Sequence, residues 1–213
     1  MRSAGQSETT PFTAPYTHHE DLYRLLQALA ITRATLIGLS NHSVALDFAI
    51  AYSSSVEKLV LVSPGLRGYE FRDPWIATHF AAMLQALEQR NLSAAVEVFL
   101  TMWVDGPNRT PAQVDPGVRE RVRRMVTHAF PMSRHAPNSR GLEPPAAGRL
   151  SGVTAPTLVV LGEKDAPDIH AIAELIREGV AGSRLTTIRD AAHTLVLERP
   201  SEFNRVVEQL LAR

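Results

Sequence analysis

Ser40, Asp165 and His193 are the residue types of nucleophilic acyl chemistry, and each stands just past an apolar run. A serine hydroxyl is a weak nucleophile until an imidazole takes its proton. The imidazole needs a carboxylate to hold its tautomer and stabilise its cation. Ser40 follows Ala34–Leu39 in TLIGLSNHSVAL, Asp165 follows Thr157–Leu161 in GEKDAPD, and His193 follows Arg184–Ile188 in RDAAHTLVLERP. Positions 125 and 28 residues apart can meet if those runs are strands of one parallel sheet. Parallel strands end at the same edge, where ligands bind in such folds.

The elements needed for this are legible. Residues 1–17 are rich in Ser, Thr, Pro and Gly and read as loop. A helix is predicted from Thr17, with Leu22, Leu25, Leu26 and Leu29 at helical spacing behind Glu20 and Asp21. Ala34–Leu39, Lys58–Ser63, Thr157–Leu161 and Arg184–Ile188 read as strands. Helices are predicted at Val44–Tyr52, Ile169–Gly179 and Glu202–Ala212. Continuous apolar strands alternating with amphipathic helices predict an α/β fold, a parallel sheet covered on both faces. Residues from about 66 to 150 interrupt the rhythm with helices predicted at Trp75–Arg90, Leu92–Trp103 and Pro116–His128. The proline-rich PMSRHAPNSRGLEPPAAGRL then reads as an irregular return.

Composition excludes several classes. The 213 residues carry 22 basic and 22 acidic side chains, so no electrostatic footprint for nucleic acid or an anionic membrane is present. There is no cysteine, which removes disulfides, thiolate catalysis and Cys-based zinc sites. No apolar stretch reaches membrane-spanning length, and MRSAGQSETTPF lacks the apolar core of a signal peptide. A cytoplasmic protein without a metal or other cofactor is expected.

Four segments, in order, resemble the α/β-hydrolase superfamily, in its enol-lactonase and carboxylesterase-like branch: YTHHEDLYRLLQALAITRATLIGLS, VEKLVLVSPGL, APTLVVLGEKD and AAHTLVLERPSEFNRVVEQLL. The order Ser, Asp, His is also that superfamily's. The resemblance implies a mostly parallel α/β-hydrolase sheet formed by residues 1–65 and 151–213, N-terminally truncated, with residues 66–150 inserted as a helical cap. It further implies Ser40 as nucleophile, Asp165 as acid and His193 as base, with the backbone N–H of Asn41 in the oxyanion hole. Asp168 is the weaker candidate for the acid. Trp103, Phe80 and Met83 are cap residues of the kind that line an acyl pocket or simply fill the core. The implied activity is hydrolysis of a small-molecule ester or lactone. A catalytically impaired remnant serving as a binding or interaction module is the alternative.

Two departures from the family pattern bear on that choice. The turn reads Gly38-Leu39-Ser40-Asn41-His42, where the family has Gly-x-Ser-x-Gly, so an imidazole stands where glycine lets strand and helix pass closely. MRSAGQS resembles the loop after the family's fourth strand, so the family's earlier strands and their His-Gly oxyanion donor have no counterpart in this sequence. Ala34–Leu39 is then expected as an exposed apolar edge, which a homo-oligomer would cover. The remaining histidines carry less: His18 and His19 are expected in solvent, and His79, His128, His135 and His170 show no metal-ligand spacing. Arg119, Arg121, Arg123 and Arg124 read as a solvated helical face.

Overall fold

A computed structural model describes residues 7, 15–40, 44–133 and 138–212. A two-residue strand, β1 (Tyr16–Thr17), leads into α1 (His18–Ala28), whose first turn is capped by Thr17 Oγ1 accepting the Glu20 N–H. Then come β2 (Ala34–Leu39), α2 (Val44–Ala51) and β3 (Val56–Val62). Three helices follow without an intervening strand: α3 (Pro74–Glu88), α4 (Leu92–Leu100) and α5 (Pro116–Ser133). A short β4 (Ser139–Arg140) returns the chain to β5 (Thr157–Gly162), α6 (Pro167–Gly179), β6 (Arg184–Ile188), α7 (Leu195–Glu198) and α8 (Pro200–Leu211).

Strands β2, β3, β5 and β6 form one parallel sheet in that order. The core follows the two-residue alternation of strands. Leu59 and Leu61 of β3 and Val159 and Leu161 of β5 face one side, packed with Leu46 and Phe48 of α2 and Ile169, Ile172 and Ile176 of α6. Val60, Val62, Leu158 and Val160 face the other, packed with Leu195 of α7 and Val207 and Leu210 of α8. Among the described residues, no helix is long and apolar enough to cross a membrane.

Three expectations need correction. Cover on both faces holds for β3 and β5 but not for β2. Ala34 and Leu36 pack into the α2 side, whereas Ile37 and Leu39 remain 54% and 43% exposed. Among the described residues the packing group on the α8 side draws none from β2, and β2 is an outermost strand of the sheet. Tyr16–Thr17, expected as loop, pairs in parallel with Ser139–Arg140 from the proline-rich return. His19, expected in solvent, is buried, and that burial lowers its pKa against the opposing pull of Asp47 and Glu20.

β2 and α2 are held at contact distance by Gly38. A Cβ there would lie 2.7 Å from Cβ of Ala45, closer than two carbons can approach. Gly38→Ala is expected to destabilise the fold by about 1–3 kcal/mol through overpacking, read as a lower urea midpoint at unchanged slope.

Candidate active site

Ser40 begins the chain's turn away from β2 and adopts φ 67°, a left-handed conformation that costs a non-glycine residue energy. Its two backbone groups hold it there. The Ser40 N–H donates to the Val62 carbonyl at 3.0 Å, and the Ser40 carbonyl accepts the Gly65 N–H at 3.1 Å. The serine is thus tied to the end of β3 while its side chain projects from the sheet rim. Asn41 and His42 lie outside the described residues.

Asp165 and His193 stand on the loops after β5 and β6, and those loops are bonded to one another. The Glu163 N–H donates to the Ile188 carbonyl at 2.9 Å and the Lys164 N–H to the Ala191 carbonyl at 2.8 Å. Gly162 lets them abut: a Cβ there would sit 2.2 Å from the Ala192 carbonyl oxygen. Asp165 accepts the Ala166 N–H on Oδ1 at 2.8 Å. His193 Nδ1 lies 3.0 and 3.2 Å from the two carboxylate oxygens of Asp165. Its Nε2 lies 2.6 Å from Ser40 Oγ. A carboxylate only accepts, so the network assigns the proton to Nδ1 and leaves Nε2 to accept the serine hydroxyl. Asp165 and His193 are both buried, at 4% and 6% exposure, which removes competing water from the pair.

A second layer of contacts, invisible in the sequence, sets the histidine loop against the inserted helices. Beyond α4 the chain makes a single π-type turn, Thr101–Asp105, a form that often marks functional sites. It carries Trp103, whose ring centroid is 4.5 Å from that of His193. The Arg109 guanidinium donates to the Val104, Asp105 and Asp190 carbonyls and to Glu198 at 2.8 Å. Glu198 in turn accepts the Ala192 N–H at 2.9 Å and the Thr194 hydroxyl at 3.2 Å. One buried ion pair therefore brackets His193 from both sides. Arg119, expected on a solvated face, instead makes a two-bond contact with buried Asp105 at 3.0 and 3.2 Å, and it also reaches Glu97. Arg123 pairs with Glu97 and Glu120.

Over the serine lies a cavity of about 300 Å³ bounded by Ser40, His193, Gly65, Phe71, Ile76, Ala77, Phe80, Trp103 and Ile169. Among the described residues, its lining carries no ionisable or hydroxyl side chain apart from Ser40 and His193. Phe80 and Trp103 belong to it, whereas Met83 is core, packed with Ala86 and Ala95. A separate hollow of about 350 Å³ between Leu87, Arg90, Leu92, Phe130 and Pro131 contains none of the three chemical residues. Asp168 is directed away from His193. Its carboxylate accepts the Tyr69 hydroxyl at 2.8 Å, the Arg72 N–H at 3.1 and 3.0 Å, and the Asp73 N–H at 2.9 Å. Burial opposes charge on Asp168, but the bonds from Asp73, Tyr69 and Arg72 outweigh it and hold the carboxyl below its usual range. Among the described residues no group of three or more His, Asp or Glu side chains is placed to hold a metal ion.

Two outcomes follow from these partners. A depressed folded pKa means that Asp168 stabilises the fold at pH values above its unfolded pKa of about 3.9, with the benefit lost as pH falls through the lower folded value. The urea-midpoint gap between the wild type and Asp168→Asn is expected to be widest near pH 7 and to close as pH drops below about 4. Arg109→Met leaves the buried Glu198 charge without its cation and is expected to cost about 3–5 kcal/mol. Arg109→Met with Glu198→Leu should cost less than Arg109→Met alone, as measured by denaturant unfolding of the single and double variants.

Comparison with known proteins agrees with this architecture. The model of the alpha/beta hydrolase family matches residues 2–206. A 2-hydroxy-6-oxononadienedioate/2-hydroxy-6-oxononatrienedioate hydrolase of Klebsiella pneumoniae is 29% identical over 196 residues, covering 90% of this chain and 67% of its own. Among solved structures, a hydrolase from Pseudomonas aeruginosa superposes with a TM-score of 0.72 at 28% identity, over 100% of this chain and 77% of its own. The enol-lactonase from Burkholderia xenovorans shares the fold at a TM-score of 0.76 and 22% identity, over 100% of this chain and 78% of its own. With its parallel sheet, its serine at the end of β2 and a family match along nearly its whole length, the chain belongs to the alpha/beta hydrolase family.

Proposed function

We propose that the protein is a serine hydrolase that cleaves a small, uncharged carboxylic ester or lactone through an acyl-enzyme. One observation carries the assignment: a single imidazole contacts Ser40 Oγ at 2.6 Å and the Asp165 carboxylate at 3.0 Å. His193 takes the serine proton as Oγ attacks the carbonyl, and an Oγ–acyl bond forms. The tetrahedral intermediate then collapses, and the leaving alkoxide departs with that proton. Water, deprotonated by the same Nε2, attacks the acyl-enzyme and frees the acid and Ser40. Asp165 holds the imidazole and balances its transient charge. The backbone N–H of Asn41 is assigned to the developing oxyanion, as the residue after the nucleophile.

Residues 66–150 are assigned the role of a cap on a core made from residues 1–65 and 151–213. They supply Phe71, Ile76, Ala77, Phe80 and Trp103 to the cavity wall, and an apolar lid of this kind excludes water from the acyl group. The wall also narrows the substrate. The K. pneumoniae relative is named for dioates, which carry two carboxylates, and such ions need cations in a dry site. Among the described residues this cavity offers none, which favours an uncharged acyl group.

Pairing between copies is assigned to β2, which among the described residues is an outermost strand of the sheet and exposes Ile37 and Leu39 on one face, because an apolar strand at a sheet edge is a template for association.

The deciding experiment is hydrolysis of 4-nitrophenyl butyrate by the wild type, Ser40→Ala, His193→Ala and Asp165→Asn, each checked for folding by circular dichroism. Each substitution is expected to lower kcat at least about a thousandfold. Hydrolysis that persists in Ser40→Ala, or a folded wild type without any, rejects the esterase and leaves the binding-module alternative.

A further inference from the structure

Asp168 sits in the first turn of α6, is 4% exposed, and directs no bond at the chemical residues. Every partner it has lies in the irregular segment that joins β3 to α3. Oδ1 accepts the Tyr69 hydroxyl at 2.8 Å and the Arg72 N–H at 3.1 Å, while Oδ2 accepts the Arg72 N–H at 3.0 Å and the Asp73 N–H at 2.9 Å. All the donors converge on one acceptor-only group, so an amide in its place would aim an NH₂ at another donor. The side chain of Asp73 itself accepts the Trp75 N–H at 2.7 Å and so starts α3.

The clamped segment is also the cavity wall. Phe71 lies between Tyr69 and Arg72 and faces the cavity with its ring 5.8 Å from that of Tyr69, and α3 then contributes Ile76, Ala77 and Phe80. Ile169, the neighbour of Asp168 on α6, lines the same cavity from the sheet-bearing half. A single carboxylate therefore sets the distance between the two halves of the wall.

We propose that Asp168 is a specificity-determining positioning residue: by clamping Tyr69–Asp73 it fixes the Phe71 and α3 wall over Ser40 and thereby sets which acyl groups the site holds. The proposal rests on the cavity being the acyl pocket. A loss of the clamp should loosen the wall, weakening the hold on long acyl groups that touch it and sparing short ones that do not, with the chemistry at Ser40 intact. That pattern is a change in KM with kcat retained, and a role in orienting His193 would give the opposite.

The test compares wild type, Asp168→Ala, Asp168→Asn and Tyr69→Phe on 4-nitrophenyl acetate and 4-nitrophenyl hexanoate. Binding of octan-2-one, a neutral apolar ketone with no ester bond, is followed in parallel by tryptophan fluorescence. Asp168→Ala and Asp168→Asn are expected to raise KM for the hexanoate about tenfold with kcat within about threefold, and to leave acetate kinetics nearly unchanged. Tyr69→Phe, which keeps both backbone donors, should move the same way by less. Ketone affinity should fall about tenfold in both Asp168 variants. Hydrogen exchange at the Arg72 and Asp73 amides should accelerate at least tenfold in Asp168→Ala.

A folded Asp168 variant with an unchanged hexanoate-to-acetate ratio of kcat/KM overturns the proposal, as does an equal loss of kcat on both esters. If the wild type cleaves neither ester, the esterase assignment has failed and the ketone decides about Asp168. Weaker binding in the Asp168 variants supports the clamp, while absent or unaltered binding rejects it.

Discussion

A 2.6 Å hydrogen bond joins Ser40 to His193 across 153 positions of sequence, and nearly every local feature around it serves to let it form. The bond requires that β2, β5 and β6 all run in one direction, so that their following loops share a rim. It also requires a serine that leaves its strand at φ 67°. A backbone in that region does not persist unless its neighbours over-determine it. Val62 and Gly65 do so from the β3 side, while Gly38 leaves the room that lets α2 pass close to β2. The remaining constraint is on the histidine. Its loop is stitched to the acid loop by backbone bonds and to the inserted helices by Arg109 and Glu198.

Buried charge is used here for registration. Arg109–Glu198 and the Asp168 carboxylate connect segments far apart in sequence, Arg119–Asp105 links positions 14 apart, and each joins the inserted helices either to the sheet-bearing half or to one another. Ion pairs of this sort contribute little net stability compared with apolar packing, yet removing one partner is costly. Their directionality suits a site in which an apolar wall must stand at a fixed height above a nucleophile. Grease alone would hold the helices near the sheet without specifying where.

Much of this was legible in the residues, and the rest was not for identifiable reasons. The four strands and the helices α2, α6 and α8 follow from uninterrupted apolar runs and helical spacing, which depend only on near neighbours. Ser40, Asp165 and His193 were legible because each follows such a run. Asp168 was readable only as a rival acid, since nothing local tells a carboxylate facing an imidazole from one facing the amides of Arg72 and Asp73. Arg109 and Glu198 gave no signal, being single charged residues whose value lies in partners about 90 positions apart. His19 looked solvated because it follows polar residues, and its burial depends on packing that α1 alone does not specify. The open face of β2 was half legible: the apolar edge could be read, whereas which of its faces would lack a helix could not.

The most direct measurement is covalent labelling with a fluorophosphonate followed by mass spectrometry of the peptides. A serine activated by His193 should be modified at Ser40 alone, with labelling suppressed in His193→Ala and slowed in Asp165→Asn. An adduct on any other serine, or equal labelling of Ser40 with and without the imidazole, would contradict the account.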